Sequence, residues 1–236
     1  LSRRNDRRKA SRVSSGLENG VPLLDNGYRL AQADFHRRYE HTPEIKKAEL
    51  VEGIVFMGSP VSYPHATATQ AMLLWLGNYV LATPGVESAD NATLILDAEN
   101  EFQPDAMLRL RSAQGGRSRI EGKYVHGAPE LVVEVSVTSV DLDLNDKFRV
   151  YRRNGVQEYL VWQLERNHLD WFLWHDSDFR LHKPSASGVY RSDVFPGLWL
   201  DAAAMLTRDL KRVMAQLRKG LASAEHRQFV RRLAAQ

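Results

Sequence analysis

The chain contains no cysteine in 236 residues. That removes disulfides, thiolate nucleophiles and cysteine-based zinc sites together, and it suits a reducing cytoplasm, the compartment we expect. No apolar run approaches the roughly 18 residues of a membrane span, and no signal-peptide core is visible, so no membrane partner is expected. None of the eight histidines stands in an HExxH or other zinc spacing. There is no glycine-rich phosphate loop, no zinc finger and no Ser/His/Asp arrangement. The chain begins at Leu1 rather than Met, as expected of an incomplete or processed N-terminus.

What is present is ordinary in amount and uneven in placement. Five Trp, eight Tyr and eight Phe predict a sizeable core in one large domain, or one domain with terminal additions. The net charge of +3 hides a division. Residues 1–12 hold six basic residues and one acid, and residues 201–236 hold eight basic and three acidic, leaving the middle acidic. Basic ends can attract a polyanion such as nucleic acid, or be a solvated arm and an ordinary helix face. Charge leaves both open.

Pattern along the chain gives mixed elements. Residues 1–26 read as an arm or linker, and Ala31 to Tyr39 as a short helix stopping before Thr42-Pro43. AELVEG returning as IVFMG through Gly53 reads as a hairpin. Ala68, Met72, Leu76, Tyr79 and Val80 mark a helix over residues 65–81. Residues 92–110 suggest two strands, and residues 112–129 a long loop or ragged hairpin. LVVEVSV is the central strand. Asp141 to Arg153 reads as a helix ended by Asn154-Gly155, three strands follow, and a final helix carries Leu206, Leu210, Val213, Leu217 and Leu221. The expectation is an α/β (α+β) core with one layer of sheet and flanking helices.

Within the apolar strand LVVEVS stands Glu134. An ionised carboxylate there costs several kcal/mol unless it is paired or its pKa rises. Asp105, after Pro104, opens the strand AMLRL, and Lys147 lies on the helix after Glu134. If the two strands are neighbours, the carboxylates converge, and a hard divalent cation between them relieves their repulsion. A nearby lysine can then stabilise charge on a phosphate or help deprotonate the attacking water. A structural Glu134–Lys147 ion pair fits these three residues equally well.

The motifs PD at 104–105, ELVVEVS at 130–136 and DLDLNDKFRVYRRNGVQEYLVW at 141–162 resemble the Uma-two family of restriction-endonuclease-like proteins, within the PD-(D/E)XK nuclease superfamily. AELVEGIVFMGSP followed by His65 resembles its opening hairpin, and FPGLWLD its closing segment. The resemblance covers roughly residues 28–202. It implies a restriction-endonuclease-like core, a mixed central sheet flanked by helices, over residues 27–202. Residues 1–26 would be a basic flexible arm and residues 203–236 a basic helical extension. It also implies Asp105, Glu134 and the Val135 carbonyl as ligands of Mg²⁺ or Mn²⁺, with Glu49 as a supporting acid. The superfamily's lysine follows the acid by two residues. Here that place is Ser136, and Lys147 on the next helix matches the family's relocated lysine. The implied activity is a metal-dependent endodeoxyribonuclease acting on DNA, with a homodimer allowed. The alternative is a non-catalytic nucleic-acid-binding or regulatory protein on the same fold.

Other residues are weighed against ordinary roles. Tyr151, one turn after Lys147, reads first as core with a tethered hydroxyl. Gln103 faces the site or ends a loop, and His65 is more often a surface histidine at a helix start. Asp141, Asp143 and Asp146 need no explanation beyond a helix's first turns. Arg109, Arg111, Arg117, Arg119 and Lys123, with Arg149, Arg152 and Arg153, could line a phosphate path, although a solvated surface is the default for each.

Overall fold

The computed structural model describes residues 17, 18, 21–137 and 139–236. Most of the expected arm, residues 1–16, 19 and 20, lies outside the described residues. A short pair, β1 (Leu17–Glu18) and β2 (Val21–Pro22), precedes α1 (Gln32–Glu40), the hairpin β3 (Ala48–Val51) and β4 (Ile54–Met57), and α2 (Tyr63–Leu81). Next come β5 (Val86–Ala89), β6 (Leu94–Asp97), β7 (Asn100–Phe102), β8 (Ala106–Leu110), β9 (Arg119–Glu121), β10 (Tyr124–His126) and β11 (Leu131–Ser136). A π-helical turn, Leu142–Lys147, runs into α3 (Phe148–Arg153). Then follow β12 (Glu158–Gln163), β13 (His168–His175), β14 (Asp178–Leu181), β15 (Val189–Arg191), β16 (Trp199–Asp201), α4 (Ala202–Leu206), α5 (Leu210–Leu221) and α6 (Ala224–Ala234).

The fold is mixed α/β, but the expected single layer of sheet is two. One six-stranded sheet has the order β14-β13-β12-β11-β8-β5 and the other β4-β3-β7-β6-β10-β9. Residues 92–110 supply three strands instead of two, because Asp97 to Asn100 turns the chain back on itself and β7 pairs antiparallel with β6. β11 runs parallel to β12 and antiparallel to β8. The parallel pair needs a crossover, which the π turn and α3 provide.

Alternation divides β11 between two cores. Leu131, Val133 and Val135 join Ala106, Leu108, Leu160 and Trp162 against α2, α4, α5 and α6. Val132 points the other way with Met107, Val161 and Tyr159, toward α3 and residues Leu94, Phe102 and Val125 of the second sheet. Glu134 shares that second face. In β3 the same rule sends Ala48 and Leu50 toward Phe35 of α1 and leaves Glu49 and Val51 facing the space between the sheets. The β3–β4 turn is tight, with Glu52 and Gly53 both at positive φ, the pattern of a two-residue hairpin loop.

Among the described residues, those from Leu24 on and the C-terminal helices belong to the fold. Leu24 is buried with Phe35 and Leu50, and Asn26 Oδ1 accepts from the Met57 amide at 3.0 Å, so packing begins before residue 27. The expected final helix is three helices, and Met205, Val213, Leu217, Phe229 and Leu233 pack into the main core. α5 meets the Gly197 turn so closely that a Cβ at Gly220 would lie 2.1 Å from the Gly197 carbonyl oxygen. Among the described residues no helix is long and apolar enough to cross a membrane.

Two outcomes follow from this packing. Gly220→Ala should lower the unfolding free energy by about 1–3 kcal/mol in urea titrations, the range for forcing atoms into a filled core. Glu158, buried at the start of β12, accepts from Ser192 Oγ at 2.9 Å and from the Asp193 and Val194 amides at 2.8 and 3.0 Å. Burial still pushes its carboxyl up to about 7 from the usual 4.5. The folded state therefore holds the proton longer than the unfolded chain. The associated stability is full below about pH 4.5 and is lost as pH rises through about 7. Glu158→Gln should flatten that part of the profile, so that the gap between variant and wild type shifts by about 2–4 kcal/mol between pH 4.5 and 8.

Candidate metal and phosphate site

The last regular pair between β8 and β11 is Ala106 with Val133. Continuing that register by one residue sets Asp105 opposite Glu134, on the face between the sheets. The strands separate there, and the Val135 amide donates to Asp105 Oδ2 at 2.8 Å. In an extended strand a residue's N–H and C=O point to the same side, so the Val135 carbonyl also faces the gap beyond the end of β8. From the second sheet comes Glu49, whose Oε1 accepts from the Gln103 amide at 2.7 Å. From the crossover comes Lys147.

Lys147 binds these carboxylates together. Its Nζ lies 2.8 and 3.0 Å from the two oxygens of Glu49, 3.1 Å from Glu134 Oε1 and 3.7 Å from Asp143 Oδ1. It also sits 5.5 Å from the Phe102 ring centroid. The Tyr151 hydroxyl donates to Glu134 Oε1 at 2.9 Å. Asp143 accepts from Ser139 Oγ at 2.6 Å and from Ser136 Oγ. Glu49, Asp105, Glu134, Asp143 and Lys147 are all buried. Lys147 closes the π-helical turn, a rare local geometry that often marks functional positions. Through it a lysine from the helix reaches Glu134, while Ser136, where the superfamily places its lysine, holds Asp143 instead.

The electrostatics follow from crowding. Burial pushes the Glu134 carboxyl up to about 8, with Asp143, Asp105 and Glu49 adding repulsion and Lys147 opposing it. Burial works against the charge on Lys147, but Glu134, Glu49 and Asp143 outweigh it and hold the ammonium well above the usual lysine range. Burial likewise raises Asp105, yet His65, Lys47 and the Val135 amide hold it below its usual value. His65 Nε2 stands 3.3 Å from Asp105 Oδ2, and Lys47 Nζ 3.7 Å from Oδ1. That Oδ1 is buried and makes no hydrogen bond.

A buried carboxylate oxygen that accepts no hydrogen bond and has only Lys47 Nζ near it, at 3.7 Å, is a fit for a hard cation on the side that the Val135 carbonyl faces, as is the excess of carboxyl groups over lysines here. Among the described residues, however, no three His, Cys, Asp or Glu side chains form a ready group of metal ligands. A cation held here would rely on Asp105, Glu134, the Val135 carbonyl and water. That is the sparse protein coordination typical of Mg²⁺.

The structure brings together Glu49, Asp105, Glu134, Val135 and Lys147, the set named from sequence. Glu52 lies in the hairpin turn and pairs with Arg149 and Arg153. The arginines of the expected phosphate path have local partners. Arg109 and Arg111 pair with Glu87, Arg119 with Glu121, Arg152 with Asp178, and Arg117 donates to the Gly155 carbonyl. Asp143 was explained away as a first-turn acid, although its i,i+4 spacing to Lys147 pointed at the site. Lys47 was missed. It stands two residues before Glu49, hence on the same face of the incoming chain.

Comparison with known proteins agrees with this geometry. A solved structure titled as a putative nuclease belonging to DUF820, from Anabaena variabilis ATCC 29413, superposes with a TM-score of 0.51 at 9% identity. The match covers 72% of this chain and 90% of that one, so the fold is that of a nuclease-like α/β protein. The sequence matches the Uma2 family, described as "Putative restriction endonuclease", over residues 32–203. The chain belongs to that family. No curated protein matches it.

Removing the buried ammonium should be costly. Lys147→Met should lower the unfolding free energy at pH 7 by about 3–5 kcal/mol, the cost of leaving a buried charge without its partner. Lys47→Met, at a side chain 31% exposed, should change it by less than about 1 kcal/mol. Chemical denaturation of the two variants separates these outcomes.

Proposed function

We propose that the chain is a divalent-metal-dependent endonuclease that hydrolyses phosphodiester bonds in DNA. The observation that carries this is Asp105 Oδ1, a buried carboxylate oxygen without a hydrogen bond, at the point where β8 and β11 part. Asp105, Glu134 and the Val135 carbonyl would hold Mg²⁺ or Mn²⁺. When bound, the ion supplies charge that polarises the scissile phosphate and makes the attacking water more acidic.

The chain's own residues prepare that place. Lys147, held protonated by its carboxylates, is a poor base, so it acts by fixing Glu134 and Glu49 and by cancelling their repulsion. Tyr151 donates to the same oxygen of Glu134 as Lys147 does, which sets the tilt of the carboxylate. Glu49 anchors Lys147 from the opposite sheet. Lys47 and His65 flank Asp105 on its more open side, where the Lys47 ammonium offsets negative charge brought by a phosphate.

A second reading is a nucleic-acid-binding or regulatory protein without catalysis. It is favoured by Lys147 satisfying Glu49 and Glu134 with no added ion. Supercoiled and linear DNA, incubated with Mg²⁺, Mn²⁺ or EDTA, separate the two. The endonuclease should cut only with metal, and both Glu134→Gln and Asp105→Asn should reduce cutting by about 100-fold or more. Calorimetric titration with Mn²⁺ should show binding to wild type that Asp105→Asn abolishes. An intact fold that neither cuts nor takes up metal would select the second reading.

A further inference from the structure

Between the hairpin and α2 runs a strap, residues 58–64, that is exposed throughout. Its first amide, Gly58 N–H, donates to the Lys47 carbonyl at 3.2 Å. Its far end enters α2 and leads directly to His65, which contacts Asp105. The strap therefore joins Lys47 and His65, the two residues that flank that carboxylate. Arg208 adds positive charge on the same rim, donating to the Pro64 carbonyl at 3.4 Å.

The strap also carries apolar surface without a packing role. Val61 is 70% and Tyr63 81% exposed. Tyr79, Tyr151, Tyr159 and Tyr190 are all buried, as is usual for so large a side chain when nothing else requires it outside. Tyr63 thus leaves a ring face open to solvent, two residues from His65, on a strap that touches the Lys47 carbonyl through Gly58 and Arg208 through Pro64. Lys147 cannot serve an incoming phosphate, because its ammonium is buried and taken by Glu49 and Glu134. Lys47, with a side chain 31% exposed, and the exposed Arg208 are cations beside the strap that solvent reaches.

A stacking aromatic beside cations that track a backbone is the combination that holds single-stranded nucleic acid. In an intact duplex the base faces are covered by their neighbours, so an exposed ring has nothing to stack on unless a base is unpaired. Charge and ring together select a strand with an unstacked base over an apolar protein partner.

We infer that the strap over residues 58–65 binds a single-stranded or locally unpaired nucleic-acid strand, with Tyr63 stacked on a base and Lys47 meeting the phosphate that approaches Asp105. This rests on the nuclease reading for which phosphate is cut, but the binding itself needs no metal. The preferred substrate is then a junction, flap or end with an unpaired nucleotide, in place of uniform duplex.

The test uses the full chain, in EDTA so that nothing is cut, with a labelled mixed-sequence oligonucleotide as single strand and as duplex. Tyr63→Ala should weaken single-strand binding by about tenfold, the loss of one base–aromatic stack, and leave duplex binding within about twofold. Tyr63→Trp should restore it. Lys47→Ala should weaken binding and lower the salt slope by about one phosphate's worth. Single-strand binding by Tyr63→Ala equal to wild type would overturn the proposal, and so would equal losses for both forms of DNA. If sedimentation shows that Tyr63→Ala instead dissociates a dimer, the strap is a contact between copies and the proposal falls. Selective loss in a protein that never cuts with metal would uphold the strap and defeat the endonuclease reading, so the two can fail separately.

Discussion

A single buried ammonium sets the terms for the middle of this protein. Lys147 lies among Glu49, Glu134 and Asp143, and each of those carboxylates comes from a different element: β3 in one sheet, β11 in the other, and the π turn that joins β11 to α3. Without the lysine, three acids would face one another in a space closed to water, where like charges repel far more strongly than at a surface. With it, the two sheets gain a fixed polar contact inside an otherwise apolar interface lined by Phe102, Val132, Tyr151 and Tyr159. Asp105 stands outside that knot, restrained by a backbone amide and by Lys47 and His65. The acids between the sheets are thereby held by two sets of partners, one gathered on Lys147 and one on Asp105.

That division bears on how the sequence is read. The question raised by a glutamate inside LVVEVS has two answers at once. Glu134 has a lysine for a partner, as a structural ion pair requires, and it also lies beside Asp105, as a metal site requires. The two readings were separable only if the partner excluded the neighbour. In this fold it does not, since Lys147 engages Oε1 of Glu134 while Asp105 keeps an oxygen that accepts no hydrogen bond. The family to which the chain belongs supplies the nuclease assignment at the level of its description, and the unpaired oxygen supplies the local reason to take it seriously.

Much of this was legible beforehand, and the reasons differ by residue. The β3–β4 hairpin was readable from alternation and from Gly53, since both are short-range signals. The central strand was readable because a sheet covered on both faces leaves a nearly unbroken apolar run. The second sheet was not. Its strands are three or four residues long, and strands of that length carry too little periodicity to announce a separate layer. Asp143 stayed hidden because acids are common in the first turns of helices for generic electrostatic reasons. The final helix reads as an addition because the family resemblance ends near residue 202, while the apolar stripe that buries Val213, Leu217, Phe229 and Leu233 was consistent with either place. His65 and Lys47 needed the three-dimensional approach of α2 and β3 to Asp105.

The spread of the knot along the chain has a consequence for how the protein comes into being. Lys147 and Glu49 are 98 residues apart, and Val135 and Asp105 are 30 apart. Contacts of such separation close only after much loop entropy has been surrendered, and they form late in folding. A nascent chain that has emerged only as far as β8 holds Glu49 and Asp105 with neither Glu134 nor Lys147. No fragment that ends before Lys147 can therefore contain an assembled centre. The centre closes only after β11 and the π turn have met β3 and β8, however early those strands emerge.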